Sequence, residues 1–332
     1  MRPIEAVLKL RPSNVAQRLP PGSRACVLNP RDLLRALEGR ETVVLCCEIS
    51  LPRAFTAGIL EAARSLGAVV GLSSTLHAQG EGPTPYAVFQ ELTTAAAATW
   101  SELPLFLRSG PIAVSSVDER ALDAAREIVF KHVDAGFTSI CVAPSGLTSD
   151  QVALAVADIT APARERELSV ELVLQASDEI QVWSQLKALR ARGVSPDVIV
   201  VPSGAASSAK SLLAMYDAAK PSVLAFTDGP IAPPLAKVGV RRANVVGAFA
   251  RLAERRLPAE LADRVRARAS ETNTDFAQAL GMFHREVAAL AEPERERLEA
   301  FAYHEAVELL TAAGAQGTAK AALEFLAEKS GY

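Results

Sequence analysis

The chain has 332 residues, 49% of them hydrophobic and 22% charged, which leaves little room for long disorder and suffices for one domain of ~250 residues with appended helices. A formal net charge of −3 with 35 Lys and Arg residues gives no positive excess to neutralise a phosphate backbone, so nucleic acid is excluded as an expected partner. Cys26, Cys46, Cys47 and Cys141 lack any C-x-x-C spacing, which argues against a zinc knuckle or redox pair and fits a reducing, cytoplasmic compartment.

Residues 1–41 form a flanking segment with expected helices at 3–10 and 31–37 around a Pro/Gly loop at 19–23. Arg2, Lys9, Arg11 and Arg18 interrupt the N-terminus, which therefore does not read as a signal peptide, and no apolar run reaches the ~18 residues of a membrane span. From residue 42 to 250, Val/Ile/Leu-rich runs at 43–48, 68–73, 104–108, 139–142, 169–174, 197–201, 222–226 and 242–246 alternate with amphipathic helical stretches. That alternation predicts βαβ units with a parallel sheet, and the count of strands is that of a (β/α)8 TIM barrel. Ser116 to Glu119 and Thr148 to Gln151 have capping-box spacing, and Gly67, Gly136 and Gly193 stand where left-handed helix C-caps are expected. Residues 251–332 are entirely helical in pattern, with segments at 247–256, 258–269, 275–290, 293–312 and 320–329. Their apolar faces exceed what one barrel needs to cover, so a homo-oligomer formed through the C-terminal helices is expected.

Several runs resemble the class II fructose-bisphosphate aldolases. Asp134-Ala-Gly-Phe-Thr-Ser-Ile-Cys-Val142 is the most specific, being close to the family's run into strand four. Ala57 to Ala63 with Val69 to Ser74, Leu103 to Leu107, Ser169-Val-Glu171 and Gly239-Val-Arg-Arg-Ala-Asn244-Val are similar to the first helix with strand two, then strands three, five and eight; Glu308 to Ala315 resembles the C-terminal helix. The family's strand-eight run reads Gly-Val-x-Lys-Ile-Asn-Val. The resemblance implies the barrel fold, a metal held by three histidines and phosphate recognition after strands seven and eight.

The departures fall on the chemistry. The family's His-x-Asp-His after strand three is here Arg108-Ser-Gly-Pro111. Its Ser-His-Gly after strand six is Pro202-Ser-Gly-Ala205, and its His-Gly-Gly-Ser-Gly after strand seven is Phe226-Thr-Asp-Gly-Pro230. Ala143 and Val173 replace acids, and Val246-Gly-Ala248 replaces the Asn-Thr-Asp that completes phosphate binding. Zinc needs about three well-placed ligands; His77, His132, His284 and His304 read as loop or helix-packing residues, so neither metal nor cofactor is expected. No lysine sits at a strand end for Schiff-base chemistry.

The polar residues that converge on the expected mouth are Glu48, Ser74, Arg108, Ser109, Ser145, Gln175, Ser203, Asp228 and Asn244. They form a candidate site for a small anionic ligand or a protein partner, with Arg108 expected to pair with Glu48 or Asp228 unless an anion takes its place. The functional expectation is a degenerate aldolase-like barrel without metal-dependent aldol cleavage, acting in binding, scaffolding or assembly. The alternatives are a metal-independent carbon–carbon lyase or isomerase acting on a small anionic sugar-like substrate, and a zinc-dependent ketose-bisphosphate aldolase with displaced ligands.

Overall fold

The computed structural model describes residues 3–49, 52–74, 84–99, 103–174, 179–202, 209–227 and 234–330. Its strands are β1 (Val44–Glu48), β2 (Val70–Ser74), β3 (Leu105–Ser109), β4 (Ile112–Val114), β5 (Ser139–Pro144), β6 (Ser169–Val173), β7 (Val198–Pro202), β8 (Val223–Thr227) and β9 (Val240–Val245). They run in the order β3-β2-β1-β9-β8-β7-β6-β5, and β5 returns to β3 through Arg108 and Ser139. Every pairing is parallel, so the sheet closes into a (β/α)8 barrel of eight strand positions. The sequence pattern does not reveal β4. It continues the third strand position beyond Gly110–Pro111 and pairs with β5. Proline cannot donate to a ladder, and its neighbourhood is where the strand breaks.

Local chemistry sets the helix ends. Thr148 and Gln151 form the expected capping box. The helix after β4 begins two residues later than the Ser116 spacing suggests, at Glu119, because the Asp118 carboxylate caps it by accepting from Ala121 N. Gly136 closes that helix at φ 106°, where a Cβ would meet the Phe89 ring.

Both termini close the N-terminal end of the barrel. Residues 26–28 pair with Leu105 at the start of β3, and Thr318 Oγ1 accepts from Val69 N just before β2. Ile4, Val7, Leu28 and Leu33 share one apolar cluster with Leu326 and with the lumen residues Val44, Cys46, Phe106 and Val200. Three helices precede β1, at Pro3–Val7, Ser13–Arg18 and Pro30–Ala36; the middle one is not apparent in the sequence.

The helix Glu292–Ala312 lies against the barrel helix Pro52–Leu66, with Leu298, Ala302, Ala306 and Leu310 buried between them. At Gly58 the two backbones approach so closely that a Cβ would lie 2.4 Å from the Glu299 carbonyl oxygen. The apolar stripe of this helix, one of the two on which self-association was expected, is therefore covered within the chain. Two further expectations are adjusted: 275–290 is two helices, Phe276–Met282 and His284–Ala288, and the last helix starts at Thr318. Among the described residues no helix is long and apolar enough to cross a membrane.

Candidate functional site: a charged cluster in the barrel lumen

Side chains on a strand alternate between faces, and the inward set of this barrel includes three charged residues. Arg108 from β3, Glu171 from β6 and Arg242 from β9 meet in the lumen, with exposures of 2%, 0% and 0%. Glu171 Oε2 accepts from Arg108 Nε at 2.6 Å and from Arg242 Nη2. Its Oε1 accepts from Ser139 Oγ at 2.6 Å and from Arg242 Nη1. The Arg108 fork also donates to Ser73 Oγ at 3.0 Å and Cys141 Sγ at 2.8 Å. The Arg242 guanidinium carbon sits 5.8 Å from the Phe106 ring centre, and Phe106 fills the space over Gly71 that a Cβ would occupy.

Two guanidiniums share one carboxylate, so the cluster carries one net positive charge away from water. Burial alone would raise the Glu171 pKa. The fields of Arg242 and Arg108, with hydrogen bonds from Arg242 and Ser139, outweigh it and hold the carboxyl at about 2. Burial pushes the thiols of Cys46 and Cys141 up to about 12, so both are neutral at physiological pH.

The structure corrects the sequence-based site in three respects. Arg108 does not reach the rim; it is buried and its acidic partner is Glu171, two strand positions away across β5. Ser73, not Ser74, faces the cluster; Ser74 lies on the other face of β2, where its carbonyl accepts from Gly110 N. Ser109 faces away from the lumen as well, its Oγ accepting from Cys141 N at 2.9 Å beside the interruption of the third strand. Arg242 was missed altogether. The available signal was a charged residue inside an apolar strand run, which in a sheet buried on both faces requires a partner.

Glu48 is half-buried at the end of β1, in register with Ser73. Ser145, also half-buried, donates its backbone N–H to the Val114 carbonyl at 2.9 Å. Gln175, Ser203 and Asp228 lie outside the described residues. Asn244 is 4% exposed, and neither its Oδ1 nor its Nδ2 has a hydrogen-bond partner among the described residues. It lies in register between Cys46 of β1 and Thr227 of β8. A buried carboxamide with both ends unmet is costly in an apolar wall.

The donor set of the described residues does not fit the metal that the resemblance implies. Among the described residues no group of three or more His, Cys, Asp and Glu side chains could hold a metal ion. His132 is buried in the helix Glu119–Ala135, its ring 5.0 Å from that of Phe137. His284 begins a C-terminal helix, His304 is exposed on another, and His77 lies outside the described residues.

No protein-family model matches the chain, and no curated protein matches it in sequence. Solved structures do. The YdjI aldolase from Escherichia coli K12 superimposes with a TM-score of 0.63 at 12% identity, over 88% of this chain and 99% of that one. A protein of Coccidioides immitis provisionally named a fructose-1,6-biphosphate aldolase gives 0.58 at 14% identity, over 90% of this chain and 98% of that one. At such identities the likeness establishes the fold, and the chain is an aldolase-like (β/α)8 barrel.

Proposed function

We propose that the chain is a degenerate aldolase-like barrel that does not carry out metal-dependent aldol cleavage and serves in binding, scaffolding or assembly. The observation supporting this reading is the Arg108–Glu171–Arg242 cluster, which fills the lumen with a net positive charge. Such a charge repels a divalent cation, and among the described residues the strand ends offer no imidazole to overcome the repulsion. Each of the two guanidiniums also has Glu171 as an internal partner, so neither relies on an external anion alone.

Elemental analysis of protein purified from zinc-supplemented cells tests this reading, together with a retro-aldol assay on ketose bisphosphates with and without chelator. The expected result is well under one metal per chain and no chelator-sensitive cleavage. About one zinc per chain with chelator-sensitive turnover would overturn it in favour of a zinc aldolase with displaced ligands. Cleavage or isomerisation that survives chelation would favour the metal-independent enzyme.

Binding of a small molecule at the mouth is the second reading, and the unmet carboxamide of Asn244 favours it. Asn244→Leu should then abolish any thermal stabilisation that a metabolite confers on the wild type.

A further inference from the structure

The outer face of the helix Glu179–Ala191 carries large apolar side chains that its own barrel leaves uncovered. Ile180 is 78% exposed and Trp183 51%. The two helices packed on either side add Leu154 at 36%, from Ser149–Ile159, and Leu213 at 45%, from Ala209–Ala219. Monomeric proteins rarely leave a tryptophan and a neighbouring isoleucine so exposed, and aromatic anchors of this kind dominate protein interfaces. The Arg190 guanidinium lies 5.7 Å from the centre of the indole ring, a cation–π contact that favours this rotamer. A pre-positioned ring loses less entropy on docking.

The charges around this tryptophan indicate what covers it. Glu179 stands one helical turn before Trp183 and Lys187 one turn after it. Both are exposed, and neither has an ion-pair partner among the described residues. Pairing this helix antiparallel with its own copy, about a two-fold axis at Trp183, sets Glu179 of each protomer against Lys187 of the other. A two-fold interface must be self-complementary in this sense. The spacing satisfies that requirement twice over while burying Ile180 and Trp183 at the centre.

We propose that this face is a homodimer interface, occupied by the same helix of a second copy running antiparallel, with Trp183 at its centre and reciprocal Glu179–Lys187 pairs at its edge. The flanking Leu154 and Leu213 widen the contact toward the ~800 Å² per partner of a stable interface.

Sedimentation equilibrium across roughly 1–100 µM, on wild type, Trp183→Asp, Lys187→Glu and the swap Glu179→Lys/Lys187→Glu, tests the assignment. All these positions are exposed, so the variants should fold, and circular dichroism checks that they do. The wild type should be a reversible dimer, and Trp183→Asp should be monomeric across the range. Lys187→Glu should weaken the dimer about tenfold, and the swap should restore it to within about threefold. A monomeric wild type would overturn the proposal, whatever else then covers the face. So would a Trp183→Asp protein as dimeric as the wild type. A dimer that Lys187→Glu weakens and the swap fails to restore would overturn the antiparallel arrangement.

Discussion

Arg242 and Glu171 face each other across the barrel lumen as a bidentate pair, two guanidinium nitrogens each donating to a different carboxylate oxygen, with neither side chain exposed to solvent. Arg108 joins the same carboxylate as a second cation. Removing the carboxylate and removing the second cation should therefore have unequal effects. Glu171→Gln leaves two buried guanidiniums uncompensated and should cost roughly 3–5 kcal/mol. Arg108→Met leaves a neutral, bidentate Arg242–Glu171 pair and should cost about 1–3 kcal/mol. Urea denaturation at neutral pH measures both, and equal losses would mean that the net charge of the cluster does not govern its energy.

Acid should destabilise the fold in a window set by Glu171. Its carboxyl is held at about 2 in the folded state, below the ~4.3 of an unfolded chain. The stabilising contribution is thus complete above pH ~4.3 and is lost as pH falls through about 2, a loss of order 3 kcal/mol. Arg242→Met should flatten this part of the pH–stability curve, as read by melting temperature between pH ~5 and ~2.

A second window lies nearer neutrality. Burial lowers the His132 pKa to about 4; Nδ1 lies 2.8 Å from the Ile128 carbonyl oxygen, and Nε2 is buried without a partner among the described residues. The unfolded chain takes up this proton near pH ~6.5 and the folded one does not. Stability is therefore complete above pH ~6.5 and falls as pH drops toward about 4, again by order 3 kcal/mol. His132→Gln should remove the slope in this window and leave the lower one intact; a mutant curve parallel to wild type throughout would refute the assignment.

Gly58 should be intolerant of any side chain. Its built Cβ would lie 2.4 Å from the Glu299 carbonyl oxygen and 2.8 Å from Tyr303 N, both backbone atoms of a long helix. Gly58→Ala should force the helices Pro52–Leu66 and Glu292–Ala312 apart and cost about 1–3 kcal/mol. Limited proteolysis should then cut the C-terminal helices faster than in wild type, and equal cutting rates would refute the assignment.

The barrel itself was legible in the sequence, because each βαβ unit announces its burial locally. Apolar runs such as Val198–Val201 must be covered on both faces, and caps such as Thr148 and Gly136 mark where helices begin and end. The departure from the class II aldolase pattern after the third strand was also visible there, since Arg108-Ser-Gly-Pro111 holds no imidazole. What the sequence by itself could not determine was which residues meet. Arg108, Glu171 and Arg242 lie 63 and 71 residues apart in sequence from Glu171 outward, and only strand tilt, register and closure bring them to one point. A one-residue difference of face separated Ser73 from Ser74, because pleating sends neighbours to opposite sides. The placement of the C-terminal helices was also decided in three dimensions. An apolar stripe records that Leu298, Ala302, Ala306 and Leu310 must be covered, and only the tertiary structure shows that the Pro52–Leu66 helix covers them, through the gap that Gly58 leaves open.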